Sequence, residues 1–173
     1  FTPDIHVNSV ILDGGKAPNI IPDYSKIRME FRTASMSRLE KVDEMIKKCA
    51  NAAAMALDCT VTLTFGLSDF ADMVRNYPLE NKITELMAGY GLKVGDVPPA
   101  SGSSDVGNIS YRCPAMQSML SITDENFALH TRDFRDATLK PQAHDAMAKG
   151  ACCLADLSLK IFNDDSFRNT VYE

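Results

Sequence analysis

Histidine is scarce in this chain: only His6, His130 and His144 occur, and none pairs with another at the spacing of a local ligand motif such as HExxH. That excludes a metal centre written into one helix or one loop. Cysteine gives no substitute. Cys49, Cys59, Cys113, Cys152 and Cys153 are odd in number and contain no CxxC pair, which excludes a cysteine zinc ribbon and argues against a disulfide framework. Cys49 and Cys153 fall at apolar positions of helical patterns, so the cysteines are expected to be reduced core thiols, and reduced thiols predict a cytoplasmic protein. Positive charge is short as well, with 18 Lys and Arg against 23 Asp and Glu and a formal net charge of −5. No nucleic-acid partner is therefore expected, because binding phosphates takes a basic face. No apolar run approaches the ~20 residues of a membrane span and no secretory leader is legible, so no membrane partner is expected either. No Gly-Lys-Ser/Thr phosphate loop is present. Gly102-Ser103-Ser104-Asp105 is not a nucleophile elbow, because Val106 stands where that motif needs its second glycine.

What is present is a mixed pattern over 173 residues, 45% of them hydrophobic, enough for one domain or two small ones. Val7 to Leu12 reads as a short strand closed by the turn Asp13-Gly14-Gly15, and Pro18 and Pro22 fix an extended loop after it. Ile27, Met29 and Phe31 then alternate with Lys26, Arg28, Glu30 and Arg32, the period of a half-buried strand. Ser37-Arg38-Leu39-Glu40 fits a capping box, followed at helical spacing by Leu39, Val42, Ile46, Cys49, Ala53 and Ala56. Val61, Leu63 and Phe65 alternate again and predict a third strand over 60–65. Strand, strand, helix, strand equals the last four elements of a ferredoxin-like βαββαβ module. The pattern breaks between Leu67 and Pro78, so a domain crossing is placed there.

In the second part, Pro78 opens a helix with Leu79, Ile83, Leu86 or Met87, and Tyr90 on its apolar face, ended by Gly89 and Gly91. A Gly/Pro-rich connection runs from Leu92 to Ala100, and Met116 to Ile122 reads as an apolar strand. Pro141 opens a long helix whose apolar face is predicted to be Ala143, Met147, Ala151, Leu154, Leu157 and Ile161. Met36, Met45, Met55, Met87 and Met147 are expected to fill the core. The fold class expected is therefore α+β or α/β, a partial ferredoxin-like module over 1–68 followed by part of an α/β domain over 69–173.

Few residues stand out for chemistry. His130, in a loop after an apolar run, is either a metal ligand with its second nitrogen held by a neighbour or an exposed capping residue. His6 and His144 read as solvent-facing. The loop Gly102, Ser103, Ser104, Asp105 either presents backbone N–H groups to a carboxylate or is an ordinary polar turn. Arg32, on the polar face of its strand, either clamps a carboxylate in bidentate fashion or belongs to a solvated face. Asp164-Asp165 reads as a solvated helix cap.

Two motifs carry a resemblance. Gly14-Gly15, then Pro18-Asn19-Ile20-Ile21-Pro22, then Arg32 resembles the lid, or dimerisation, domain of the di-metal peptidases and amidohydrolases that include aminoacylase and carboxypeptidase G. The run from Ser101 to Ser110 with the later His130-Thr131 resembles the C-terminal part of their catalytic domain, nearest to the aminobenzoyl-glutamate hydrolase branch. The resemblance implies hydrolysis of amide bonds in N-acyl amino acids, aminobenzoyl-glutamate or dipeptides, by metal-activated water. It implies zinc as cofactor, two ions in the complete enzyme, with manganese or cobalt as alternatives, and a homodimer formed through the lid. Carried over by residue, His130 is similar to the last metal ligand. Asn19 and Arg32 are similar to lid residues that hold the substrate, and Gly102, Ser103, Ser104 and Asp105 to a loop lining the pocket. Asn8 stands where many relatives have histidine. The general base and the other ligands have no counterpart here, so no catalytic residue is assigned. The expectation is a C-terminal portion, inactive alone or completed by a second polypeptide. The competing expectation is a non-catalytic module that binds small carboxylates or dimerises.

Overall fold

The structure is a computed structural model that describes residues 5–66, 69–95 and 102–173. They form two compact units that divide between Asp72 and Met73.

The first unit is a two-stranded sheet and one helix. Strand β1 (His6–Asp13) pairs antiparallel with β2 (Lys26–Arg32), with His6 opposite Arg32, Asn8 opposite Glu30 and Val10 opposite Arg28. Residues that stand opposite share a face, so Val7, Ser9 and Ile11 join Phe31, Met29 and Ile27 on the other side. The register slips between Ile11 and Asp13. The turn that follows depends on glycine. Gly15 has φ of +100°, and a Cβ there would lie 2.6 Å from Cγ of Pro22. Its N–H donates to Asp13 Oδ1 at 3.1 Å. A second turn is closed by Ile20 N–H donating to Ala17 O at 3.2 Å. The Gly-Gly and the proline of this loop thus act together as one packed corner.

Helix α1 (Met36–Ala56) packs on β2 and buries Val42. It begins one turn-half earlier than the expected capping box, with Ser35 as N-cap and no side-chain cap bond. The first free N–H is met from elsewhere: Met36 N donates to Asp72 Oδ1 at 3.0 Å. Cys49 is exposed rather than buried, as are Met45 and Met55, because the sheet the helix covers has two strands among the described residues. The strand expected over 60–65 is not formed. The segment lies beside the helix, with Lys47 Nζ 5.1 Å from the Phe65 ring centroid, but no ladder partner is present among the described residues, and a strand exists only through pairing.

In the second unit, α2 (Tyr77–Gly89), α5 (Pro141–Asn163) and α6 (Asp165–Tyr172) pack on one another, while α3 (Val106–Ser110) and α4 (Arg132–Ala137) are short. The core holds Leu79, Ile83, Cys153, Leu157 and Val171, edged by Leu86, Met87 and Tyr90 as the α2 periodicity predicts. The apolar face of α5 keeps Ala143, Leu157 and Ile161 of the expected one and departs from it between them. Ala143, Ala146, Cys153 and Leu157 are buried, whereas Met147 and Leu154 are exposed. The approach is close at Gly150, where a Cβ would lie 3.0 Å from Leu120 Cδ2. Met116 to Ile122 forms no strand, for want of a partner strand among the described residues. The expected α/β layer is thus helical over the described part of 69–173. Asn76 ties two ends of the unit, its Oδ1 accepting from Leu79 N at 3.1 Å and its Nδ2 donating to Val171 O at 2.8 Å. Asp164 caps α6, as its position suggested, accepting from Phe167 N at 2.8 Å and pairing with Lys160 at 2.5 Å.

Candidate functional site

The candidate residues fall in both units. In the first, Asn19 is exposed at the second corner of the Ala17–Ile20 turn and its side chain makes no hydrogen bond among the described residues. Arg32 ends β2 on the face shared with His6, Asn8 and Glu30. Its Nε donates to Glu30 Oε1 at 2.6 Å, and both side chains are about half exposed, at 50% and 59%. An ion pair so exposed is worth well under ~1 kcal/mol. The terminal nitrogens of Arg32 make no other bond among the described residues.

In the second unit, Gly102, Ser103 and Asp105 are exposed and Ser104 is half-buried, while Ser101 lies outside the described residues. Ser104 Oγ accepts from Val106 N and Ser104 O from Gly107 N, both at 3.3 Å. Two amides after the loop are therefore already engaged, and Asp105 adds a negative charge beside the rest. The loop is anchored by a residue whose role the sequence does not announce. Ser110 is buried, its Oγ donating to Gly107 O at 2.6 Å and accepting from Val74 N at 2.9 Å. It fixes α3 directly behind the glycine-serine loop.

His130 is exposed and has φ of +64°, the left-handed region where non-glycine residues are uncommon. Its neighbour explains how the turn is held. Thr131 is the N-cap of α4, its Oγ1 accepting from Phe134 N at 3.3 Å and donating to Ala128 O at 2.7 Å. Threonine secures the corner and the imidazole projects from it. The ring makes no hydrogen bond among the described residues, so the expected neighbour for its second nitrogen is not seen there. His144 is exposed in the first turn of α5, and His6 is exposed on β1.

Zinc needs several N, S or O ligands around one point. Among the described residues, no group of three or more His, Cys, Asp or Glu side chains comes together. One solvent-facing imidazole does not fit a zinc centre by itself. The thiols give no alternative: all five cysteines are free, and burial raises the thiol of Cys153, with Cys152 and Asp156 adding to it, away from the thiolate that a metal requires. A further perturbed group is Tyr90, whose hydroxyl donates to Asp156 Oδ2 at 2.7 Å. That bond, with burial and the carboxylate charge behind it, pushes its pKa up to about 12. It joins α2 to α5 and is structural.

Residues 1–57 match the family model of the peptidase dimerisation domain. The chain is 30% identical over 163 residues to the Xaa-Arg dipeptidase of Homo sapiens, a match that covers 92% of this chain and 37% of that protein. It is 29% identical over 163 residues to the Xaa-Arg dipeptidase of Mus musculus, covering 92% of this chain and 38% of that one. The chain belongs to the peptidase and amidohydrolase family of aminoacylase and carboxypeptidase G. Within that family it spans a little over a third of the length of these two dipeptidases. The small sheet and helix of the first unit are compatible with a dimerisation domain of the family.

Proposed function

We propose that this chain supplies the dimerisation surface and part of the substrate-binding surface of an amide-bond hydrolase. Residues 1–68 are the lid and 69–173 belong to the catalytic domain. The substrates are small amides with a free carboxylate: dipeptides of the Xaa-Arg kind first, N-acyl amino acids and aminobenzoyl-glutamate next. The observation that carries this reading is the match to dipeptidases over 92% of the chain. Arg32 receives the substrate carboxylate on its terminal nitrogens, displacing none of its bond to Glu30. Asn19 offers an amide donor and acceptor from a turn with no competing partner. Gly102, Ser103, Ser104 and Asp105 line the pocket on a loop pinned by Ser110. His130 is the one ligand this chain offers toward the zinc, manganese or cobalt of the family, and the reaction itself is carried by groups outside those described. The protein works in the cytoplasm, as a homodimer.

The test is a paired binding and hydrolysis measurement on the 173-residue chain, using Ala-Arg and an acyl-glutamate with zinc added. Binding that Arg32→Ala weakens, with no turnover, is the expected result. Turnover by the chain alone overturns the claim that the chemistry needs further groups, and absence of any binding overturns the recognition role. A second reading, a carboxylate-binding or dimerisation module without chemistry, is favoured by the lack of a ligand cluster among the described residues. It requires that zinc binding be nil and that His130→Ala change nothing.

A further inference from the structure

Asp13-Gly14 is the one Asp-Gly pair in the chain, and no Asn-Gly pair occurs. Asp13 ends β1 where the register slips, and both residues are exposed. Asp13 Oδ1 accepts from Gly15 N at 3.1 Å, a bond that turns the carboxyl toward the peptides that follow it. The N–H of Gly14, which stands between them, makes no hydrogen bond among the described residues. We propose that Asp13–Gly14 is a modification site, at which the backbone of the folded chain isomerises from aspartate to isoaspartate.

The chemistry needs only water. The Gly14 nitrogen bonds to Asp13 Cγ and gives up its proton, and the carboxyl hydroxyl leaves with that proton as water. The product is a cyclic succinimide. Water then adds to one of its two carbonyl carbons, and the C–N bond at that carbon breaks. Opening at the former main-chain carbonyl routes the backbone through the side-chain methylene and frees a carboxyl on Cα. Opening at Cγ restores aspartate. The mass is unchanged, and nothing is oxidised or reduced. Glycine favours the attack because no side chain crowds its nitrogen. Elsewhere the next amide is occupied. After the exposed residues Asp58, Asp105 and Asp124, Cys59 N donates to Ala54 O at 2.9 Å, Val106 N to Ser104 Oγ at 3.3 Å and Glu125 N to Thr123 Oγ1 at 3.2 Å. Asp23, also exposed, is followed by the bulky Tyr24. Isoaspartate lengthens the backbone by one carbon just before Gly15, where a Cβ would already lie 2.6 Å from Pro22 Cγ. It also takes away the side-chain acceptor of the Gly15 N–H. The corner that carries Asn19 is loosened in consequence. This inference rests on neither hydrolysis nor dimer formation.

The experiment is incubation of the 173-residue chain for several weeks at neutral pH and body temperature. Wild type, Gly14→Ala and Asp13→Glu are each held folded and in urea, with circular dichroism to verify the two states. Isoaspartate is counted by methyl transfer from S-adenosylmethionine with protein-isoaspartate methyltransferase, and its position is read by electron-transfer fragmentation of the peptide that holds residue 13. Alanine fits at Gly14, which has no positive φ and whose nearest neighbour to an added Cβ is Ile11 Cγ2 at 3.3 Å. The expected result is isoaspartate at residue 13 of the folded wild type, formed within about tenfold of the rate in urea, as for a segment at the weakly protected end of a structure. Gly14→Ala should be slower by at least about tenfold. Asp13→Glu should show none at residue 13, because its ring would be one atom larger. Protection of the folded chain by more than about tenfold relative to urea shows that the fold closes the site, and overturns the inference. So does a folded wild type without isoaspartate at residue 13, any smaller slowing in Gly14→Ala, or isoaspartate at residue 13 of Asp13→Glu.

Discussion

Gly15 and Pro22 are in contact at the corner that follows β1: a Cβ on Gly15 would stand 2.6 Å from the proline Cγ. Together with φ of +100° this leaves room for glycine alone. The first prediction follows. Gly15→Ala should cost about 1–3 kcal/mol, read as a lower denaturation midpoint. It should also weaken carboxylate binding, because the same loop carries Asn19. Gly14→Ala, where the nearest atom to an added Cβ is Ile11 Cγ2 at 3.3 Å, should cost clearly less. Equal losses would show that the corner does not depend on this contact.

Ser110 gives a sharper case. Its hydroxyl is both donor to Gly107 O and acceptor from Val74 N, in a buried position. Ser110→Ala removes both bonds and leaves the Val74 N–H without its acceptor, a loss of about 1–3 kcal/mol. Ser110→Cys should recover little, since sulfur is a weak acceptor. Urea unfolding curves of the three proteins check this, and an alanine variant as stable as the parent would contradict it.

These two residues also show what the sequence made legible. Periodicity located β1, β2, α1, α2 and α5 because each repeats at a regular period, although the apolar faces of β1 and β2 stay largely exposed, Ile27 and Met29 of the expected half-buried strand among them, and the proline and glycine punctuation set most of their ends. Alternation at 60–65 and the apolar run at 116–122 were equally plain, yet neither segment is a strand here: pairing is a tertiary event, and a pattern only states readiness for it. The inner stripe of α5 misled for a different reason. Large residues such as Met147 and Leu154 look like the core, but the buried stripe runs through Ala143, Ala146, Cys153 and Leu157, with a close contact at Gly150. As for the site, Arg32 stands out only as a cation on the polar face of a strand, Asn19 has no chemical signature of its own, and the roles expected of both come from resemblance. Ser110 and Asp72 were invisible, because a capping or anchoring bond across 36 residues leaves no local pattern.

The Tyr90–Asp156 bond sets a pH dependence. The hydroxyl bond to the carboxylate favours the protonated phenol, with a pKa of about 12 in the folded chain against an unperturbed value of about 10. A group whose folded pKa is raised contributes stability that is complete below the unfolded value and is lost as pH rises through the folded one. The contribution of this pair should therefore persist to about pH 10 and fade between about pH 10 and 12. Ultraviolet titration should show one tyrosine ionising late. Tyr90→Phe should abolish that late phase, and its survival would assign it to another tyrosine.

His130 combines a left-handed backbone with an exposed side chain. Its φ is +64° and it makes no hydrogen bond among the described residues, while Thr131 holds the corner. Strain at a residue without a structural partner points to a use for the side chain. His130→Gly should then be at least as stable as the parent, gaining up to about 1 kcal/mol because glycine adopts this φ freely. His130→Ala should be no more stable than the parent, since alanine keeps the Cβ penalty. In both variants any weak zinc binding by the chain should fall by at least about tenfold, the effect of losing an imidazole donor. Thr131→Ala should give the reverse pattern, a loss of about 1 kcal/mol through the helix cap with the histidine still present. If His130→Gly is clearly destabilised, the imidazole serves the fold after all, and the case for it as a ligand loses its physical basis.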